Sequence, residues 1–217
     1  MMTACPGDIH DFDQVGIYLA DIRPLMTEDS DRADQLLTQR TVVRALLRYV
    51  LGTQEDALAH HPDGSPYLPL HPTLSLSVSH CPTAVAIALA PQEIRIGIDI
   101  ESKGDKAALL LSRYASEEEI RRMNADGTSA VEVWSAKETV YKLAEGAIAG
   151  FGEKIVYQGR EGDLLLILSK PQDLPDHLHH VRAVPLADLG LLTYALSPDS
   201  PDDIPLTWVD LSTLGSL

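Results

Sequence analysis

The chain of 217 residues is 45 % hydrophobic, enough to bury one large core or two smaller ones, and no stretch of it is long and apolar enough to span a bilayer as a helix. Its formal net charge of −15 at pH 7 excludes a general nucleic-acid binder, which needs a basic surface, but leaves room for an anionic ligand held by a few local arginines. Cys5 and Cys81 fit neither a disulfide framework nor a zinc pattern, and no basic region followed by an apolar run opens the chain, so a cytoplasmic protein is expected.

In chain order, Gly16-Ile17-Tyr18-Leu19 within Gln14 to Asp21 predicts a strand. Asp29, Ser30 and Asp31 are potential N-caps for a helix over Arg32 to Leu51, which Gly52 ends. A Pro-rich loop around Asp63-Gly64-Ser65-Pro66 follows, then three short strands over Leu74 to Val78, Ala84 to Leu89 and Ile94 to Ile100. Ser116 with Glu119 forms the signature of a capping box and predicts a helix through Ile120 and Met123. A longer helix is predicted over about Ala130 to Ala147. Strands over Ile155 to Gln158, Leu164 to Ser169, Val181 to Val184 and Leu191 to Leu196 complete the pattern. The order predicts an α+β fold of two similar halves, each a long helix packed on a small antiparallel sheet. The expected halves are residues 1–103 and 104–217, with the boundary near Ser102 to Asp105.

Four clusters could carry chemistry. In Gly97-Ile98-Asp99-Ile100-Glu101, strand alternation puts Asp99 and Glu101 on one face, where two carboxylates repel unless a cation lies between them. Oxygen ligands of this kind suit Mg²⁺, although a strand end with solvated acids has the same pattern. In Trp134-Ser135-Ala136-Lys137-Glu138-Thr139-Val140-Tyr141-Lys142, helical spacing lines up Trp134, Glu138 and Lys142, either as base and phosphate clamp or as a surface Glu–Lys pair. Lys137 falls on a different side. Ser79-His80 ends a strand with two groups able to hydrogen-bond phosphate, or to cap a loop; Cys81 reads as a small buried hydrophobe. Arg40, Arg44 and Arg48 form a stripe beside the apolar face of Leu36, Val43, Leu47 and Val50, which could meet an anion or simply be solvated.

Taken in this order, Ser79-His80, Gly97-Ile98-Asp99-Ile100-Glu101, Ser116-Glu117-Glu118-Glu119 and Trp134-x-x-Lys137-Glu138-x-x-x-Lys142 resemble the 4′-phosphopantetheinyl transferases, in particular the larger, two-halved type that activates carrier proteins of polyketide, peptide and fatty-acid synthesis. The matched motifs lie between Gly64 and Lys142. Three positions depart from the family pattern: Ser65 stands where a loop lysine is usual, Ala115 where Phe is usual, and Thr139 where a small Ala or Ser is usual.

The resemblance implies pseudo-twofold halves with an active site in the cleft between them. It also implies transfer of the phosphopantetheine arm from coenzyme A to a serine of an apo acyl or peptidyl carrier protein, releasing adenosine 3′,5′-bisphosphate (a holo-acyl-carrier-protein synthase). Asp99, Glu101 and Glu138 would hold Mg²⁺, and Glu138 would be the general base, with Glu119 as its rival. Lys142 would balance charge on the diphosphate. Ser79, His80, Arg44 and, more weakly, Arg40 would contact coenzyme A. Arg113, Arg121 and Arg122 are candidates for docking the carrier, and a monomer without nucleic-acid or membrane partners is expected. The alternatives are a non-catalytic relative that binds coenzyme A or a carrier protein, favoured by the missing loop lysine, and an unrelated acidic interaction protein.

Overall fold

A computed structural model describes residues 14–27, 29–55, 58–102, 106–144, 148, 152–172, 174–200 and 203–215. In chain order its strands are β1 (Gly16–Asp21), β2 (Ala59–His60), β3 (Pro66–Tyr67), β4 (Leu74–His80), β5 (Ala84–Pro91), β6 (Arg95–Glu101), β7 (Ile155–Glu161), β8 (Leu164–Ser169), β9 (His177–Pro185), β10 (Leu191–Ser197) and β11 (Leu206–Trp208). Its α-helices are α1 (Arg32–Leu51), α2 (Lys106–Leu109), α3 (Leu111–Tyr114), α4 (Glu117–Asp126) and α5 (Ala130–Leu143). The fold is mixed α+β. No helix among the described residues is long and apolar enough to cross a membrane.

Two compact units make up the chain: Met1–Arg95 together with Asp203–Leu217, and Ile96–Asp202. The expected boundary at 103/104 lies outside the described residues, as does the predicted extension of α5 to Ala147.

In the first unit α1 starts where the sequence signals it. The Asp31 carboxylate accepts hydrogen bonds from the backbone N–H groups of Ala33 (2.7 Å) and Asp34 (2.9 Å), and the helix stops at Gly52 in the left-handed region (φ 63°). Val42, Val43, Leu46, Leu47 and Val50 of α1 pack on Val85, Ile87 and Leu89 of the sheet. Leu36, expected on the apolar face, is 37 % exposed; the buried stripe starts at Gln39 instead, whose amide donates to the Cys81 carbonyl at 2.9 Å. That bond satisfies a polar side chain inside the core and ties α1 to the end of β4. The sheet order is β11-β1-β5-β4. It is not purely antiparallel as expected, because β11 pairs parallel to β1.

The second unit is a five-stranded sheet of order β6-β10-β9-β8-β7 carrying α4 and α5. Val133, Ala136, Val140 and Leu143 of α5 share one apolar core with Ile155, Tyr157, Leu165, Ile167 and Val181. Ser116 and Glu119 form the predicted capping box at the start of α4, and Ser129 with Glu132 forms a second at the start of α5. Strand β6, read from sequence as the last strand of the first half, is the outermost strand of this second sheet. The correction matters for the site, because β6 and α5 thereby belong to one unit.

Candidate active site on β6 and α5

The site begins with a glycine. A Cβ at residue 97 would lie 2.3 Å from the Thr139 carbonyl oxygen and 3.1 Å from the Leu143 Cβ. Only glycine lets the backbone of α5 approach β6 this closely. Ile98 and Ile100 are buried, and the side chains between and beyond them, Asp99 and Glu101, reach residues of α5. A second glycine holds the other side of the strand end: at Gly190 (φ +138°) a Cβ would lie 2.0 Å from the Glu101 carbonyl oxygen, so the chain can enter β10 against β6 only without a side chain there.

Asp99 is 5 % exposed and held from both oxygens. Lys142 Nζ donates to its Oδ1 at 2.8 Å and to the Ile98 carbonyl at 3.0 Å; Ser135 Oγ donates to its Oδ2 at 2.9 Å. Trp134 Nε1 donates to Glu101 Oε1 at 2.9 Å. Burial raises the Glu101 carboxyl above its ordinary range, and the Asp99 charge adds to this; the Trp134 hydrogen bond, Lys142 and Lys106 oppose it. Glu138 is perturbed most. Burial first, then the charges of Asp99 and Glu101, push it up to about 7 against the pull of Lys142. It therefore changes charge in the neutral range, where a general base is most effective.

The helical spacing therefore brings Trp134, Ser135, Glu138 and Lys142 to the side of α5 that carries the acidic strand end. Lys137 projects elsewhere and is completely buried, with Nζ 2.6 Å from Glu119 Oε1 and 2.5 Å from the Tyr114 carbonyl. Glu119 is 2 % exposed; besides Lys137 it accepts from the backbone N–H groups of Ser116 (2.8 Å) and Tyr157 (2.7 Å). Its carboxylate thus joins the start of α4, α5 and β7.

The remaining sequence candidates lie in the first unit. Arg44 is half-buried and Arg40 exposed on α1; Ser79 is buried and His80 exposed at the end of β4, opposite Ala86 and Val85 of β5. Ser65 occupies a turn, its N–H and hydroxyl both donating to Asp63 Oδ1 (3.0 and 2.7 Å). Of the proposed docking arginines, Arg113 and Arg121 are exposed, whereas Arg122 donates to the Tyr157 carbonyl (3.0 Å) and Gln158 Oε1 (3.2 Å) and serves the packing of α4 on β7.

Asp99, Glu101 and Glu138 offer oxygen donors only, with more negative charge than Lys142 balances, which is the donor chemistry of a hard divalent cation. Among the described residues, however, no three His, Cys, Asp or Glu side chains converge closely enough to hold a metal ion by themselves. Donors of this kind suit Mg²⁺, which takes few protein carboxylates and completes its shell with water and phosphate oxygens. Sequence reading missed Thr193 of β10 and Gly190 just before that strand, which support the site from its other side. The only local trace of Thr193 is a hydroxyl in the otherwise apolar-aromatic run Leu191-Leu192-Thr193-Tyr194-Ala195-Leu196.

Residues 95–185 match the family model of the 4′-phosphopantetheinyl transferase superfamily. The match takes in Asp99, Glu101, Glu119, Glu138 and Lys142, leaves Arg40, Arg44, Ser79 and His80 outside, and supports a transferase of this general kind. No curated protein matches the chain.

Proposed function

We propose that this protein, of the two-halved type, transfers the 4′-phosphopantetheine arm of coenzyme A to a serine of an apo acyl or peptidyl carrier protein and releases adenosine 3′,5′-bisphosphate. The observation that carries this reading is the placement of Asp99, Glu101, Glu138 and Lys142 around one strand end and one helix, inside the segment that matches the family.

The serine oxygen forms a bond to the β-phosphorus of coenzyme A as the bond from that phosphorus to the bridging diphosphate oxygen breaks. Glu138 takes the serine proton, directly or through one water; burial and the Asp99 and Glu101 charges raise the basicity of its carboxylate. Asp99, Glu101 and Glu138 would hold Mg²⁺, which when bound supplies charge neutralisation at the diphosphate. Lys142 is the adjacent cation for the same phosphates. Glu119 is better used as a structural carboxylate than as the base, since three donors already occupy it. Arg44, with Arg40, Ser79 and His80, would bind the nucleotide end of coenzyme A, and the exposed Arg113 and Arg121 would receive the carrier.

The test is incubation with coenzyme A, Mg²⁺ and an apo carrier protein, read by the mass of the carrier. The expected result is a gain of one phosphopantetheine, lost by at least about tenfold in Asp99→Asn and Glu101→Gln at saturating coenzyme A. Binding of coenzyme A with no mass gain on any of a panel of carriers would establish the non-catalytic reading, which the serine at position 65 favours.

A further inference from the structure

We propose that Thr139, Thr193 and Ser135 form a directed chain of buried hydroxyls that positions the Asp99 carboxylate for cation binding; this rests on the reading of Asp99 as a metal ligand. Thr139 Oγ1 lies 2.7 Å from Thr193 Oγ1, which lies 2.8 Å from Ser135 Oγ, which lies 2.9 Å from Asp99 Oδ2. All three hydroxyl residues are 0 % exposed. They come from two elements: Ser135 and Thr139 stand one turn apart on α5, and Thr193 faces them from β10.

Counting protons gives the chain its direction. Each hydroxyl has one hydrogen to donate, and an ionised carboxylate only accepts. Ser135 uses its hydrogen on Asp99, so in the next contact Ser135 is the acceptor and Thr193 donates. Thr193 has then used its own hydrogen, so Thr139 donates to Thr193. The other acceptor within reach of Thr139, the Thr193 carbonyl at 3.4 Å, is markedly longer. Every hydroxyl hydrogen therefore points along the chain toward Asp99, and aligned hydrogen bonds in a low-dielectric interior polarise one another.

The consequence is geometric. With Ser135 on Oδ2 and Lys142 on Oδ1, the carboxylate cannot rotate without breaking a hydrogen bond at each oxygen. The plane of the carboxylate is thereby set before any cation arrives. Thr193 holds Ser135 in the rotamer that donates to Asp99, and Thr139 holds Thr193. These three are positioning residues; they touch neither coenzyme A nor the carrier serine in this reading. Outer partners of this kind typically change metal affinity ten- to a hundredfold when removed.

The experiment is Mn²⁺ binding to the purified protein saturated with coenzyme A, followed by the loss of the free-ion electron paramagnetic resonance signal beyond that caused by coenzyme A alone, in wild type, Asp99→Asn, Ser135→Ala, Thr193→Val and Thr193→Ser. Thr193→Val keeps the shape and removes the central hydroxyl; Thr193→Ser keeps the hydroxyl and removes a methyl group. The expected result is a Kd for Mn²⁺ about tenfold weaker in Ser135→Ala and Thr193→Val, near wild type in Thr193→Ser, and weakest in Asp99→Asn. Should Thr193→Val not fold, Ser135→Ala and Thr193→Ser carry the same comparison. Equal weakening in Thr193→Val and Thr193→Ser would mean that packing, not the hydroxyl, matters, and would overturn the relay. Loss of Mn²⁺ binding in Asp99→Asn with wild-type binding in both Ser135→Ala and Thr193→Val would also overturn it, leaving the metal reading intact. Unchanged binding in Asp99→Asn would overturn the metal reading itself, and the relay with it.

Discussion

Lys142 and Asp99 form an ion pair, Nζ to Oδ1 at 2.8 Å, in which the carboxylate is buried and the ammonium partly exposed. The same ammonium lowers the proton affinity of Glu138, while burial and the neighbouring carboxylates raise it. Lys142→Met should therefore raise the Glu138 carboxyl further, and the acidic limb of the pH–rate profile should move to higher pH. Because Lys142 is also a phosphate contact in the proposed reaction, transfer at pH 7 should fall about ten- to a hundredfold, the worth of one charged hydrogen bond. A limb that stayed in place in this variant would show that Glu138 is not the group titrating.

Glu138 also makes a stability prediction that needs no substrate. Its folded carboxyl titrates at about 7 against an ordinary 4.5, so folding favours the protonated form. That contribution is fully present below about pH 4.5 and is lost as pH rises through about 7. Above that, the ionised carboxylate opposes folding. In the presence of EDTA, Glu138→Gln should be more stable than wild type at pH 8, by at most on the order of 3 kcal/mol. The difference should close as pH falls toward 4.5. Equal melting temperatures at pH 8 would refute the elevated carboxyl.

The buried pair of Lys137 and Glu119 separates the two candidate bases. Lys137→Met leaves the Glu119 charge buried with only its two backbone donors, which should cost about 3–5 kcal/mol and lower Tm on the order of 10 °C. Adding Glu119→Gln to that variant should restore part of the loss, because the uncompensated charge is then gone while one of the two backbone N–H groups faces the amide nitrogen. If Glu119→Gln alone instead abolished transfer while leaving Tm unchanged, Glu119 would be the base and Glu138 would not.

Arg44 is half-buried on α1. A guanidinium on the 3′-phosphate of coenzyme A acts far from the breaking bond, so it should contribute to binding in ground and transition states alike. Arg44→Ala should raise KM for coenzyme A about ten- to a hundredfold with kcat changed much less. Dephospho-coenzyme A, which lacks that phosphate, should be used almost equally by variant and wild type. An equal loss with both substrates would make Arg44 a structural residue.

What the sequence by itself determined is local. Asp31 and Gly52 bound α1, and Ser116 with Glu119 opens α4, because a helix end is governed by backbone groups within four residues of it. The alternation that turns Asp99 and Glu101 toward α5, and the four-residue step that joins Trp134, Glu138 and Lys142, follow from strand and helix periods alone. The tertiary structure decided the rest, because those outcomes depend on residues far apart in the chain. The sheet to which β6 belongs was set by its place beside β10, and β11 exists only because β1 offers it a parallel edge. Glu119 satisfies the local capping rule, but its second oxygen meets Lys137 and the Tyr157 N–H, which no neighbouring residue foretells. The proton affinity of Glu138 is likewise a product of assembly. Burial and two carboxylates on another element raise it, and neither exists for that side chain until α5 has closed over Gly97.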